Sequence, residues 1–204
     1  MPSVTELLDT FPEKELVEWK LRVGTAKAKK VSEEALEIGS TVDQAVQDAL
    51  KGIPATQPIC GPAAICLGAW QEFLRDHSWF TPSLLGMQEE LQREDLVGHP
   101  DFRLTRNGLN GIIDLKCASA IRPSYWTQVA AYGWLWVETG VEFLGILRLD
   151  KVSGKPEYQE ISTPDEIKYE TDIWLDYVHL YRHRQRVAER SRIQREEETL
   201  DALA

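Results

Sequence analysis

The chain has 204 residues, 43% of them hydrophobic, and a formal net charge of −10 at pH 7. This length predicts a single domain with a sizeable core. The acidic excess argues against a protein that binds nucleic acids non-specifically through phosphate attraction alone. Because the sequence has no apolar run near the roughly 18 residues of a membrane span, we expect no membrane association.

The N-terminal segment MPSVTELLDT lacks the basic and then apolar order of a secretion signal. With three cysteines, an odd number, this predicts reduced thiols and a cytoplasmic protein, because disulfides persist in oxidising compartments. Three cysteines also fall short of the four ligands of an iron–sulfur cluster, so no such cluster is expected from this chain. Two short segments are basic, residues 20–30 and 182–186, and a solvated helix face explains them as well as a polyanion contact does.

Helices are predicted over the first 80 residues. PSVTE at residues 2–6 has the pattern of a helix start, and residues 31–51 place apolar side chains at helical spacing up to Gly52. A loop rich in Pro and Gly separates this helix from another at 62–77.

Strands follow in the middle of the chain, where apolar stretches are bounded by turn residues. Pro123 is suited to the first turn of a helix between them. The predicted elements are strands at about 86–92, 96–104 and 110–117, a helix at 125–138, strands at 143–149 and 155–162, and a closing helix from 164 to about 195.

This order predicts an α/β fold with a mixed central sheet flanked by helices. We expect one domain over 1–204, with a helical part at 1–80, a sheet core at 86–162 and a long C-terminal helix at 164–195.

The stretch GIIDLKCA at residues 111–118 places an acid and a base in an apolar strand. Side chains alternate along a strand, so Asp114 and Lys116 share one face and Ile113 and Leu115 the other. A buried carboxylate needs a partner or a metal ion. One interpretation is therefore a simple Asp–Lys ion pair on a polar sheet face.

Asp101, in the preceding predicted strand, adds a second carboxylate, and a short turn joins the two strands. Antiparallel neighbours lie about 5 Å apart, so Asp101 and Asp114 are expected to face each other, which costs energy unless a cation lies between them. Two carboxylates and a backbone carbonyl suit Mg²⁺ or Mn²⁺. With Lys116 beside a metal-bound water, the set favours phosphodiester hydrolysis over acyl transfer.

Three ordered segments carry a family resemblance: GHPD at 98–101, IIDLK at 112–116 and QVAAY at 128–132. They match a GxxD turn, a DxK strand and a QxxxY helix, and they resemble the PD-(D/E)XK nucleases, more narrowly their RecB-like exonuclease branch. The N-terminal segments PSVTELL, LVEWKLRVG and EALEIGSTVDQAVQDALKG are similar to the start of phage-type and mitochondrial genome-maintenance exonucleases. The resemblance covers most of residues 1–185 and implies a restriction-endonuclease-like core.

The resemblance implies a role for each matching position in the strands. Asp101 and Asp114 would bind Mg²⁺ or Mn²⁺, helped by the carbonyl of Leu115. Lys116 would position the attacking water and stabilise charge in the transition state.

Positions outside these strands are candidates for shaping the site or contacting DNA. Gln128 and Tyr132 lie one helical turn apart, and a helix face that simply covers the sheet is the alternative interpretation. The basic residues Lys20, Arg22 and Lys27 are further candidates for DNA contact.

Two positions depart from the family pattern. Where the family carries His or Glu on a helix, this chain has Asp43, a shorter oxygen donor that can ligate the same cation; an exposed helix aspartate is the alternative. The family often has an acid on the strand before GxxD. Here Glu89 and Glu90 point to opposite faces of that predicted strand, and Glu89 is preferred.

The resemblance implies a divalent-metal-dependent exonuclease that acts on DNA ends in recombination, repair or phage replication, in a bacterial or phage-infected cytoplasm. The alternative is an inactive protein of the same fold that binds DNA ends or another protein. The sequence leaves open the cleavage polarity, single- or double-strand preference, RNA as a substrate, a recombination partner protein and an oligomeric state.

Overall fold

The structure, a computed structural model, describes residues 1–138 and 140–201. The helices are α1 (Val4–Asp9), α2 (Lys14–Val23), α3 (Thr25–Leu50), α4 (Gly61–Asp76), α5 (Phe80–Ser83), α6 (Pro123–Leu135) and α7 (Pro164–Asp201). The strands are β1 (Leu84–Gly86), β2 (Leu91–Arg93), β3 (Leu96–Gly98), β4 (Phe102–Arg106), β5 (Leu109–Lys116), β6 (Phe143–Leu149) and β7 (Pro156–Ile161).

A mixed five-stranded sheet forms the centre of the fold, in the order β1-β4-β5-β6-β7. β5 and β6 are parallel, and the other neighbouring pairs in this sheet are antiparallel. Parallel neighbours need a crossover connection, which α6 provides. β2 and β3 pair separately as a two-stranded sheet. The predicted α/β architecture, a mixed sheet flanked by helices with a long C-terminal helix, is confirmed.

The two faces of the sheet pack against different helices. On one face, Ile113 of β5 joins a buried cluster with Phe73 of α4 and residues of α3. On the other face, Ile112 joins a cluster with Trp174 of α7 and residues of α6. Since side chains alternate along a strand, Asp114 shares the face of Ile112 and points towards α6.

Two of the predicted strands are divided in the structure. The one expected at 86–92 is interrupted by a turn in which Gln88 has a left-handed backbone, with φ of 53°. The one expected at 96–104 breaks around Pro100, which has no N–H to give to a sheet ladder, and it resumes as β4.

The helices differ from the prediction mainly in their ends. α3 begins at Thr25, so the basic residues 27–30 are helical, and α7 continues past residue 195 to Asp201. The short helix α5 was not predicted. Within the described ranges, no helix has both the length and the apolar character that a membrane span requires.

Candidate active site

The register of β4 and β5 places two acids opposite each other. Phe102 pairs with Ile113, so the next residues outward, Asp101 and Asp114, lie across the ladder. The backbone N–H of Leu115 donates a hydrogen bond to Oδ2 of Asp101 over 2.6 Å. The structure therefore brings both predicted carboxylates to the end of β5, where β4 begins.

Asp114 is almost completely buried, with 1% of its surface exposed. Its Oδ2 lies 2.8 Å from Nζ of Lys116, which is an ion-pair distance. Lys116 is thus the charged partner of this oxygen. Because a carboxylate oxygen has two lone pairs, it can accept a further electropositive partner beside Lys116.

The pKa values of the three groups reflect their burial and, after it, their mutual charges. Desolvation and then the charge of Asp114 raise the pKa of Asp101 to about 8. Desolvation also raises the pKa of Asp114, against the opposing effect of Lys116. For Lys116, desolvation lowers the pKa, but the charges of Asp114 and Asp101 outweigh it, so the pKa is raised overall. Two acids that resist ionisation beside a firmly protonated lysine indicate a candidate functional site.

These residues line a cavity of about 320 Å³ between α3 and α6. A larger depression, of about 460 Å³ beside Trp126 and Glu170, contains none of the predicted site residues. The predicted residues that line the smaller cavity are Asp43, Asp101, Asp114, Leu115, Lys116, Gln128 and Tyr132.

The α6 residues Gln128 and Tyr132 are joined within this cavity. The side-chain amide of Gln128 donates a hydrogen bond to the hydroxyl of Tyr132 over 2.9 Å. Desolvation, and after it the charge of Asp114, raise the pKa of Tyr132 to about 12. Tyr132 therefore keeps its proton and adds no negative charge next to the acids.

Asp43 of α3 reaches the site through a residue that the sequence did not point out. Nε2 of Gln88 donates hydrogen bonds to Oδ1 of Asp101, at 2.6 Å, and to Oδ1 of Asp43, at 3.3 Å. Nε2 of Gln47 donates to the other oxygen of Asp43 over 3.0 Å. Desolvation raises the pKa of Asp43. The sequence points only to the neighbouring acid Glu89, and not to Gln88 itself.

The expectation that Glu89 faces the site requires correction. Residues 87–90 form a turn instead of a strand, and the Glu89 carboxylate contacts the guanidinium of Arg103. Glu90 contacts His99, with 3.6 Å between Oε2 and Nε2. Neither glutamate is among the residues that line the cavity.

The three basic candidates lie elsewhere on the surface. Lys20 and Arg22 are exposed on α2, and Lys27 is exposed near the start of α3. The structure does not bring them into the cavity, and their contact with DNA stays a prediction.

The acids at the end of β5 provide oxygen donors for a divalent cation. Within residues 1–138 and 140–201, no group of three or more His, Cys, Asp or Glu side chains could hold a metal ion. A site here would instead combine Asp101 and Asp114 with a backbone oxygen. The N–H and C=O of a strand residue point to the same side, so the Leu115 carbonyl faces the side of Asp101. Carboxylate and carbonyl oxygens of this kind suit Mg²⁺ or Mn²⁺.

A scan against family models finds no match for this chain, and neither does a search of the curated proteins. Among solved structures, several are similar to this chain. SSO0001 is 14% identical with a TM-score of 0.48, covering 87% of this chain and 74% of its own. The alkaline exonuclease LHK-Exo of Laribacter hongkongensis is 12% identical with a TM-score of 0.40, covering 92% and 93%. A phage-related exonuclease from Haemophilus somnus 129PT is 16% identical with a TM-score of 0.37, covering 74% and 82%.

Two of these three structures are called exonucleases, the kind of protein that the sequence motifs resemble. At TM-scores below 0.5, the functional conclusion rests on the geometry of this chain's own site.

Proposed function

We propose that the chain is a divalent-metal-dependent deoxyribonuclease that hydrolyses phosphodiester bonds at DNA ends. One observation carries the proposal: Asp101, Asp114 and Lys116 meet at one cavity, where the two acids share one lysine. The cavity also contains Ser40 and Cys117, but no described histidine lines it. The described residues that line the cavity therefore form no Ser–His or Cys–His pair of the kind that activates a nucleophile for acyl transfer.

Asp101 and Asp114 would hold Mg²⁺ or Mn²⁺ together with the Leu115 carbonyl, and the bound cation would supply Lewis-acid stabilisation and an activated water. The Leu115 N–H fixes the carboxylate of Asp101 against β5. Lys116 stays protonated because its pKa is raised. Its ammonium is thereby placed to stabilise negative charge that develops on a phosphate in the cavity.

The preference for DNA ends is supported by the resemblance of the motifs to exonucleases. The corresponding biological setting is DNA recombination, repair or phage replication in a bacterial or phage-infected cytoplasm.

The test is digestion of end-labelled linear DNA and of circular DNA by the purified protein with Mg²⁺ or Mn²⁺. We expect the linear DNA to shorten from its ends and the circular DNA to persist. Asp114→Asn should abolish cleavage, whereas Asp176→Asn, which changes an exposed acid on α7, should not. Cutting of the circle would contradict the preference for ends. A folded parent that binds DNA ends but cuts neither substrate would instead support a non-catalytic end-binding protein.

A further inference from the structure

A single side-chain amide connects Asp43 of α3 to the acids at the end of β5. Gln88 uses its Nε2 group to donate to Asp101 and to Asp43, at 2.6 and 3.3 Å. We propose that Gln88 is a positioning residue, and that Asp43 serves the site as the acceptor that aims the Gln88 amide at Asp101, instead of ligating the cation itself. This inference rests on the proposed metal-dependent function.

Both oxygens of Asp43 already accept hydrogen bonds from side-chain amides. Gln88 donates to Oδ1, and Gln47, one helical turn further along α3, donates to Oδ2 over 3.0 Å. These two amides hold Asp43 in place on α3, and its hydrogen bond towards the end of β5 is the one from Gln88.

The hydrogen bonds of Asp101 have the arrangement expected for a ligand. Carboxylates that bind metal ions are themselves held by hydrogen bonds, which fix their orientation. For Asp101 these come from the Leu115 N–H to Oδ2 and the Gln88 amide to Oδ1. Each carboxylate oxygen has two lone pairs, so both hydrogen bonds leave Asp101 able to bind a cation.

The backbone of Gln88 is held against the same segment. Its N–H donates to the carbonyl of Pro100 over 3.0 Å, and Pro100 immediately precedes Asp101. Gln88 adopts this position with φ of 53°, a left-handed conformation that is uncommon for residues other than glycine. The backbone and the side chain of Gln88 thus both contact the segment 100–101. Together these contacts fix the position of the Gln88 amide.

The chemistry of the amide explains why a glutamine suits this place. Two carboxylates repel each other when both are ionised. The NH₂ group of Gln88 offers one N–H to each of them and carries no charge. It therefore joins Asp43 to Asp101 without adding a positive charge that would compete with a cation for Asp101.

The test compares Mn²⁺ affinity among variants by isothermal titration calorimetry in the absence of DNA. Residues that orient a ligand typically contribute about 10–100-fold to metal affinity. We expect losses of this size for Gln88→Ala and Asp43→Ala. The double variant should lose no more than Gln88→Ala alone, because Asp43 acts only through the Gln88 amide.

Asp43→Asn separates the two roles of Asp43. Asparagine keeps a carbonyl oxygen that accepts from Gln88 but loses the charge that a metal ligand needs. If Asp43 acts through Gln88, Asp43→Asn should bind Mn²⁺ within about twofold of the parent, the spread expected of independent sites. Gln44→Ala is the matched control, since Gln44 is exposed on α3 and donates to Asp48.

The inference is overturned if Asp43→Asn binds Mn²⁺ as poorly as Asp43→Ala, or if Gln88→Ala leaves the affinity unchanged. Gln88→Met, which keeps the length of the side chain without its donors, replaces Gln88→Ala if that variant does not fold. A parent that binds no Mn²⁺ overturns the proposed function and this inference together. A parent whose binding depends on Asp114, with independent effects at positions 43 and 88, overturns this inference alone.

Discussion

Oδ2 of Asp101 accepts a hydrogen bond from the backbone N–H of Leu115 over 2.6 Å. This hydrogen bond holds Asp101 against β5, the strand that carries Asp114. Because Asp101 lies just outside β4, this hydrogen bond continues the contact between the two strands beyond their last paired residues. The carboxylates of Asp101 and Asp114 are therefore held next to each other without a bound cation.

Mn²⁺ should stabilise the parent protein against unfolding. A cation that binds only the folded state adds about 2.7 kcal/mol at a concentration of 100 times its Kd. Asp114→Asn removes the negative charge of a proposed ligand, so we expect little or no stabilisation of that variant. Thermal unfolding over a Mn²⁺ titration measures the effect, with Asp176→Asn as the control. An equal response of Asp114→Asn and the parent would place the cation elsewhere.

Lys116→Ala should lower the stability of the metal-free protein more than that of the metal-bound protein. Removing one partner of a buried ion pair can cost about 3–5 kcal/mol, and the raised pKa of Asp114 limits this cost by allowing protonation. Metal-free Lys116→Ala should therefore be destabilised, and Mn²⁺ should restore much of the loss.

Cleavage by Lys116→Ala should be slower by about 10²–10³-fold, the usual loss for one pre-oriented electrostatic contact. The measurement is single-turnover digestion of linear DNA at saturating Mn²⁺, with circular dichroism to verify folding. Lys155→Ala, at an exposed position before β7, is the control. Activity within about threefold of the parent would leave Lys116 only a structural ion-pair partner.

The metal-free protein should lose stability as the pH rises from about 4 to about 8. The folded-state pKa of Asp101 is raised to about 8, whereas an unfolded aspartate titrates near 3.9. The folded state thus holds a proton that the unfolded state releases, and stability falls by at most about 1.4 kcal/mol per pH unit for this one group.

Asp101→Asn should flatten this pH dependence, because asparagine does not titrate. Saturating Mn²⁺ should remove it as well, since a bound cation favours the ionised carboxylate. Urea unfolding at several pH values, with and without Mn²⁺, provides the measurement. A metal-free parent that is most stable at pH 8 would show that Asp101 is ionised at neutral pH.

Gly111 of β5 is required for packing rather than for chemistry. A Cβ atom there would lie 2.2 Å from ring atoms of Phe143, which is fully buried on β6. Gly111→Ala should therefore destabilise the fold by about 1–3 kcal/mol or more. Gly68→Ala, on α4 with nothing within 4 Å, should instead stabilise it by about 0.5–1 kcal/mol. Urea unfolding of both variants distinguishes the two effects.

The sheet and the two central acids could be predicted because their signals are local. The strand predicted at 110–117 is β5, Leu109–Lys116, and alternation alone assigned Asp114 and Lys116 to one face. The short turn between β4 and β5 then set which residue lies opposite Asp114. In this part of the chain, period-two alternation and turn chemistry decide the structure without long-range information.

The turn that contains Gln88 could not be predicted in the same way. The choice of Glu89 over Glu90 assumed that the segment is a strand, where alternate side chains face opposite sides. In the structure the segment bends, and Arg103 of β4 pairs with Glu89. Unlike Gly, Asn or Asp, glutamine gives no local signal for a positive φ. The role of Gln88 can therefore be inferred only from the structure, in which its side chain contacts both Asp43 and Asp101.

Ile112 and Ile113 of β5 are paired with β4 on one side and with β6 on the other, directly before Asp114. Amide hydrogens of such central strand positions exchange with solvent only in openings that approach complete unfolding. The candidate site is therefore anchored to the part of the sheet that opens last. The Ile112 and Ile113 amides should be among the slowest to exchange, and the loss of bound Mn²⁺ on heating should coincide with the loss of tertiary structure.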